Sequence, residues 1–218
     1  MTAQHTGWIR GQALPASHLA RHPAIPALRR ADEVDEAARC GAALVFFLTG
    51  TIYELSDVVV KARAAGQEVF CHVDLLQGIG KDPVGMKWLA REFGVKGILT
   101  TRSSLIKAAK DEGLVAVQRL FVLDSESLKT GLSVVASSRP DAVEILPALV
   151  LPSIIHRLPV DVISPFIAGG LVETVPELEG VLATGALGVS TSKKELWGYR
   201  KTSCETGGVC GLPVNTDY

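Results

Sequence analysis

The sequence predicts an α/β fold, a single-domain (β/α)8 TIM barrel. Three observations carry this. Short apolar runs of strand length alternate with helical segments, and runs apolar on both faces imply a parallel sheet covered by helices. The alternation repeats eight times within about 175 residues, which suits a compact barrel with short loops. The seventh and eighth runs end in small residues, Gly169-Gly170 and Ser190-Thr191-Ser192, where barrels commonly hold a phosphate group. A doubly wound open sheet has the same local signature; the count of eight and the paired turns favour closure.

Residues 1–22 lack periodicity, contain Gly7, Gly11 and Pro15, and read as an arm leading into a barrel over 23–199. Ala24–Leu28 is the first strand, and the helix after it is capped at Asp32 and stopped at Gly41. Ala43–Leu48 is a continuous apolar run, turned by Thr49-Gly50 into a helix that reaches Gly66. Glu68–Val73 is the third strand, followed by a long loop, Asp74–Lys81, and a helix capped by Asp82 with Pro83 at its first position. Gly97–Thr100 and the helix Arg102–Glu112, stopped by Gly113, make the fourth unit. Leu114–Phe121 with Asp124–Ser138 make the fifth, and Ala142–Leu146 with a short helix Leu149–Arg157 the sixth. Val162–Ala168 is the seventh strand, with a helix opening at Glu173-Thr174. Ala186–Val189 is the eighth, with Lys193–Tyr199 as the last helix. Residues 200–218 are rich in Gly and Thr, show no pattern and are expected to form a flexible tail.

A chain of 218 residues with 47% hydrophobic and 21% charged content is ordinary for one globular domain. No apolar run reaches the length of a membrane helix, and the N-terminus lacks a signal-peptide pattern, so the expected location is the cytoplasm and no membrane partner is expected. A formal net charge of −1 and 6% aromatic residues supply neither a basic field nor a stacking surface for nucleic acid. Cys40 and Cys71 read as buried free thiols. For Cys204 and Cys210 two reduced thiols are expected ahead of a tail disulfide or metal clip.

In a barrel, polar residues near strand C-termini line the ligand site. Gly169-Gly170 lets the backbone approach an anion, and Ser190 and Thr191 would add hydroxyl donors; the plain alternative is a strand–helix turn and an N-cap. His72 and Asp74 share a face at the end of the third strand. They could be a metal pair, but no third ligand is evident, so bonding to ligand hydroxyls is the expectation and no metal is expected. Arg119 and Glu144 interrupt the fifth and sixth strands; as neighbours they form either a structural ion pair or part of a ligand site. Lys81, in a loop with Gly78 and Gly80, and Arg102, directly after the fourth strand, are either anion donors or solvated charges. None of the assigned strands holds a lysine, so a Schiff-base mechanism is not expected.

The strings FFLTG (46–50), HVDLLQGIGKD (72–82), GILTTRSSLIKAAK (97–110), QRLFVLDSESL (118–128), PDAVEILP (140–147) and IAGGL with GALGVSTSKKELW (167–197) resemble the glycerol-uptake operon antiterminator family. The resemblance covers about residues 23–198 in order. Thr51 stands where the family usually has Asp, Gln77 where it has Glu, Ala148 where it has Gly, and Arg102 where Lys is common.

The resemblance implies a barrel that responds to glycerol 3-phosphate and acts on leader mRNA to prevent premature termination, with no cofactor. By the same implication Gly169, Gly170, Ser190 and Thr191 would hold the phosphate. His72, Asp74, Arg119 and Glu144 would meet the glycerol hydroxyls, and Lys81 and Arg102 would close over the ligand. RNA contacts rest on the resemblance alone, with Lys81, Arg102, Lys107, Lys110, Lys193 and Lys194 as candidates. A homo-oligomer is compatible with it. The regulatory reading assigns no catalytic residue; the rival is an enzyme of small phosphorylated metabolites using Asp74, Glu144 and His72.

Overall fold

Eight parallel strands close into one barrel: β1 Ala24–Leu28, β2 Leu44–Phe47, β3 Glu68–His72, β4 Gly97–Thr100, β5 Val115–Phe121, β6 Ala142–Leu146, β7 Phe166–Gly169 and β8 Val189–Thr191. Each strand pairs with its neighbours in sequence, and β1 closes the circle against β8, with Ile25 beside Ser190. The structure is a computed structural model and describes residues 14–201. The first part of the expected arm, the expected flexible tail beyond residue 201, and Cys204 and Cys210 lie outside the described residues.

The helices that cover the barrel are α2 Val34–Arg39, α3 Ile52–Ala64, α4 Pro83–Trp88 continued by a π turn Leu89–Phe93, α5 Ser103–Asp111, α6 Ser125–Ser138, α7 Leu151–Ile154, α8 Val160–Ile163, α9 Val175–Leu182 and α10 Lys194–Trp197. A single turn, α1 Ala16–Leu19, precedes β1. Starts are locally encoded. Thr51 and Thr174 sit in reciprocal capping boxes with Glu54 and Glu177, and Asp82 and Asp124 accept from the backbone N–H three residues on. No helix among the described residues is long and apolar enough to cross a membrane.

The strand period divides the apolar residues into two sets. Ile25, Leu44, Phe46, Phe70, Leu99, Val117, Ala142 and Ile167 fill the barrel interior, joined from below by Leu14 and Leu19. Residues 14–22, read from the sequence as the end of the arm, therefore close the floor of the barrel. The alternate residues, among them Val45, Phe47, Ile98, Val143 and Ile145, pack under the helices.

Three boundaries differ from the sequence reading. The run expected as the seventh strand is split: Val160–Ile163 is a helical turn, and the strand starts only at Phe166. Pro165 lacks an N–H for the ladder and pushes Ser164 out of the helical region, so the two halves cannot share one element. The eighth strand lies later than Ala186–Val189, because its register pairs Val189 with Ala168 and Ser190 with Gly169. Ser190 and Thr191 thus belong to the strand and do not follow it. Asp32 does not cap the second helix: Glu33 accepts from the N–H groups of Arg29 and Arg30, while Asp32 binds the Arg30 side chain.

Two histidines hold the floor. Nε2 of His18 accepts the Ala43 N–H at 3.1 Å, and the His18 and His22 rings stack 4.8 Å apart. Burial, with Arg200, His18 and Arg21 nearby, lowers His22 from 6.5 to about 4; burial, Arg21 and Arg200 lower His18 as well. A histidine depressed in the native state binds its proton first in the unfolded chain. Stability is therefore full above 6.5 and falls as pH drops towards about 4. The expected outcome is a lower melting temperature at about pH 5 than at about pH 7, with the difference reduced in His22→Asn; circular dichroism melts at both values check it.

Candidate ligand-binding site

Directly above the apolar interior, the strand ends carry a polar layer. In the β5–β6 register Arg119 lies beside Glu144. Its Nε donates to Glu144 Oε2 at 2.7 Å, and the Glu144 residue is 0% exposed. The other carboxylate oxygen, Oε1, accepts the Ser190 hydroxyl from β8 at 2.6 Å. Arg119 Nη1 lies 3.4 Å from His72 Nε2 on β3, and its guanidinium stands 5.5 Å from the Phe121 ring centre. His72 Nε2 in turn is 3.6 Å from Asp74 Oδ2. Strands β3, β5, β6 and β8 are thereby tied into one chain of charged and hydroxyl groups.

Asp74 is fixed from β4. Thr100 Oγ1 donates to Oδ1 at 2.9 Å, the Thr101 N–H and hydroxyl donate to Oδ2 at 2.7 and 3.0 Å, and Arg102 Nε lies 3.4 Å away. Burial works to raise the Asp74 carboxyl, but the bonds from His72, Thr101 and Thr100 outweigh it and hold the group below the usual carboxylate range. Lys81 folds back over the same side, and its ammonium donates to the Leu76 carbonyl of its own loop. Burial lowers Lys81, opposed by Asp74 and Cys71. Cys71 itself, buried behind β3, is pushed up to about 12 by desolvation and is an inert thiol; Cys40, half-buried, is also free.

The glycine pair divides its work. A Cβ on Gly169 would stand 2.3 Å from Ser190 Oγ and 2.6 Å from Glu144 Oε1, so this glycine makes room for the buried carboxylate. Gly170 has φ +83, and a Cβ there would meet Leu146 and Pro147 only at ordinary contact distances of 3.8 and 3.9 Å, so the backbone conformation is what requires glycine. The Ala148 N–H donates to Gly170 O, joining the loops after β6 and β7. Thr191 joins those after β7 and β8: its hydroxyl donates to Val172 O and accepts the Lys193 N–H, while its own carbonyl accepts Nε1 of the buried Trp197.

The sequence-chosen residues thus fall into two groups. His72, Asp74, Lys81, Arg102, Arg119, Glu144, Gly169, Gly170, Ser190 and Thr191 converge on the C-terminal mouth. The remaining basic candidates do not form a patch. Lys107 pairs with Asp111, Lys110 reaches Arg139 O and Asp141 at the opposite end of the barrel, and Lys194 pairs with Glu36 on α2; Lys193 follows β8 at the mouth. Thr100-Thr101, the polar pair that ends the fourth strand in the sequence, holds Asp74, whereas nothing in the sequence marks Phe121, which lies against Arg119. Thr51 and Gln77, two of the departures from the family pattern, are side by side in a two-residue parallel bridge over α3.

The layer is also costly to disturb. Arg119→Met removes the cation from a fully buried carboxylate and is expected to destabilise the fold by about 3–5 kcal/mol, whereas Arg119→Met/Glu144→Met recovers most of that loss. Urea unfolding of Arg119→Met, Glu144→Met and the double variant checks this as a thermodynamic cycle.

Residues 24–197 match the family described as "Glycerol-3-phosphate responsive antiterminator". The uncharacterized protein YgcP of Escherichia coli (strain K12) is 33% identical over 189 residues, 86% of this chain and 98% of that protein. The crystal structure of the glycerol uptake operon antiterminator regulatory protein from Listeria monocytogenes superposes with a TM-score of 0.74 at 31% identity, over 80% of this chain and 94% of that one. That of a glycerol uptake operon antiterminator-related protein from Thermotoga maritima gives 0.71 at 30% identity, over 81% and 98%. With the family pattern matched over residues 24–197 and the same fold in relatives of 30–31% identity, the chain belongs to the glycerol-3-phosphate responsive antiterminator family.

Proposed function

We propose that this protein senses glycerol 3-phosphate in the barrel mouth and acts in the cytoplasm as an antiterminator on the leader mRNA of glycerol uptake and metabolism genes. The observation that carries the reading is the buried polar layer of His72, Arg119, Glu144 and Ser190, which faces one opening beside the Gly170 turn. Three cations, Lys81, Arg102 and Arg119, meet two carboxylates, Asp74 and Glu144, at that opening. The surplus of one positive charge suits an anionic ligand.

In this reading the phosphate lies against Gly169, Gly170, Ser190 and Thr191. Main-chain N–H groups supply most of its bonds, because the Ser190 hydroxyl serves Glu144 and the Thr191 hydroxyl serves Val172. The glycerol hydroxyls exchange into the network of Glu144, Arg119, His72 and Asp74, and Lys81 and Arg102 close the charge balance. No acid–base step is assigned to these groups. Both Glu144 oxygens accept bonds, and Asp74 is held low, opposite to the raised value that a general base near neutral pH needs. RNA recognition is inferred from the family. Of the cations considered for it, Lys81, Arg102 and Lys193 flank the mouth, where a bound ligand can reach them.

Thermal unfolding with increasing glycerol 3-phosphate tests the site, with glycerol and inorganic phosphate as controls. A ligand at 100 times its dissociation constant is expected to add about 2.7 kcal/mol, and either fragment much less. Gly170→Ala, strained at its positive φ, is expected to abolish most of that shift. A shift with phosphate alone that equals the shift with glycerol 3-phosphate would remove the polyol part of the reading. A leader-RNA mobility shift, with and without the ligand, tests the regulatory part.

A further inference from the structure

Beside the mouth, α3 and α4 expose an apolar surface. Tyr53 is 80% exposed, Val60 67%, Val84 65% and Trp88 54%. Tyr53 and Val60 are seven residues apart on α3, and Val84 and Trp88 four apart on α4, so each pair lies along one helix face. Between the helices lies a cavity of about 340 Å³ lined by Ile52, Ile79, Val84, Trp88 and Phe93. Exposed Trp and Tyr beside an apolar pocket are the composition of an interface centre, not of a solvated surface.

The charges on this face identify the partner's chemistry. Asp57 lies on the α3 face between Tyr53 and Val60, and Lys87 lies on α4 between Val84 and Trp88's next turn. Neither has an ion-pair partner among the described residues, whereas their neighbours are engaged: Glu54 with Thr51, Lys61 with Ala31 O, Arg91 with Glu112. α3 carries two acidic and two basic residues, so the face lacks the positive excess that a nucleic-acid backbone requires. One helix offers a free anion, the other a free cation, and apolar side chains lie between them. A two-fold axis over the cavity would set Asp57 of each copy towards Lys87 of the other.

We propose that the α3–α4 face is a two-fold self-association surface, and that its occupant is a second copy of this chain. The surface borders the ligand mouth. A Cβ on Gly85 would stand 1.9 Å from Gly80 O, and one on Gly78 would stand 3.1 Å from Ile52, so the loop carrying Lys81 packs directly on both helices of the interface.

Sedimentation velocity of the full chain over a range of concentrations tests it, with no ligand added. Wild type is expected to show a reversible monomer–dimer equilibrium. Asp57→Lys is expected to weaken it by about a hundredfold or more, because symmetry places two like-charge contacts in the interface. Asp57→Lys/Lys87→Asp restores the pairing and the dimer. Trp88→Ser, with an unchanged far-ultraviolet circular dichroism spectrum, weakens it without altering charge. A chain that stays monomeric at all concentrations overturns the proposal. So does a dimer indifferent to Asp57→Lys and Trp88→Ser, or a double variant that stays dissociated.

Discussion

The Arg119–Glu144 ion pair is the constraint around which the upper half of the barrel is arranged. Moving two charges out of water costs several kcal/mol each unless geometry and further hydrogen bonds compensate. The compensation here comes from four strands: the 2.7 Å contact across β5–β6, the Ser190 hydroxyl from β8 and the proximity of His72 on β3. It also dictates what stands beside it. Gly169 is the residue of β7 at this level, and any side chain there would occupy the space of the Glu144 carboxylate. The pair thus selects a small hydroxyl on one flank and no side chain on the other. It lies on a floor of Phe46, Phe70, Leu99 and Ile167, sealed from below by Leu14 and Leu19, which keeps water from one side of it.

This arrangement separates two kinds of glycine that look alike in sequence. Gly169-Gly170 reads as one flexible turn built for an anion. In the fold the first glycine is an interior position emptied for Glu144, and only the second is a backbone requirement. A similar division applies to Ser190 and Thr191. The alternation of the strand sends Ser190 inward to the carboxylate, and Thr191 the other way, to Val172 O.

The alternation of apolar runs and capped helices was enough to predict eight units, because caps, glycine stops and apolar runs are local signals. The Arg119–Glu144 contact was also legible, since adjacent strands bring two interior charges together. What the sequence could not display were facts of register and distance. The placement of β8 depends on pairing with β7 and β1 and not on where its apolar run lies. The short α1 has no periodicity to announce that Leu14 and Leu19 plug the barrel. The Lys107–Asp111 pair can be read from i,i+4 spacing, but Lys194 meets Glu36 across 158 residues, and only the closed circle of strands brings them together.

The satisfied state of the layer bears on how a small polyol phosphate would be read. Each carboxylate oxygen already accepts a protein donor, so a ligand hydroxyl entering the mouth would exchange one bond for another, with a net gain below the roughly 0.5–1.5 kcal/mol that a newly made bond contributes. A phosphate charge at the mouth would gain more, from the Lys81, Arg102 and Arg119 side and from backbone N–H groups at Gly170. Recognition divided in this way uses the anion for affinity and the hydroxyls for discrimination. The exchange also necessarily moves protein groups: a hydroxyl that takes Glu144 must displace Ser190 or Arg119, and an anion that takes Lys81 must draw it from Leu76 O. Because Ser190 and Arg119 belong to different strands and Lys81 to a loop packed on α3 and α4, the contacts that the fold already makes would carry such a displacement from the mouth to the outer surface.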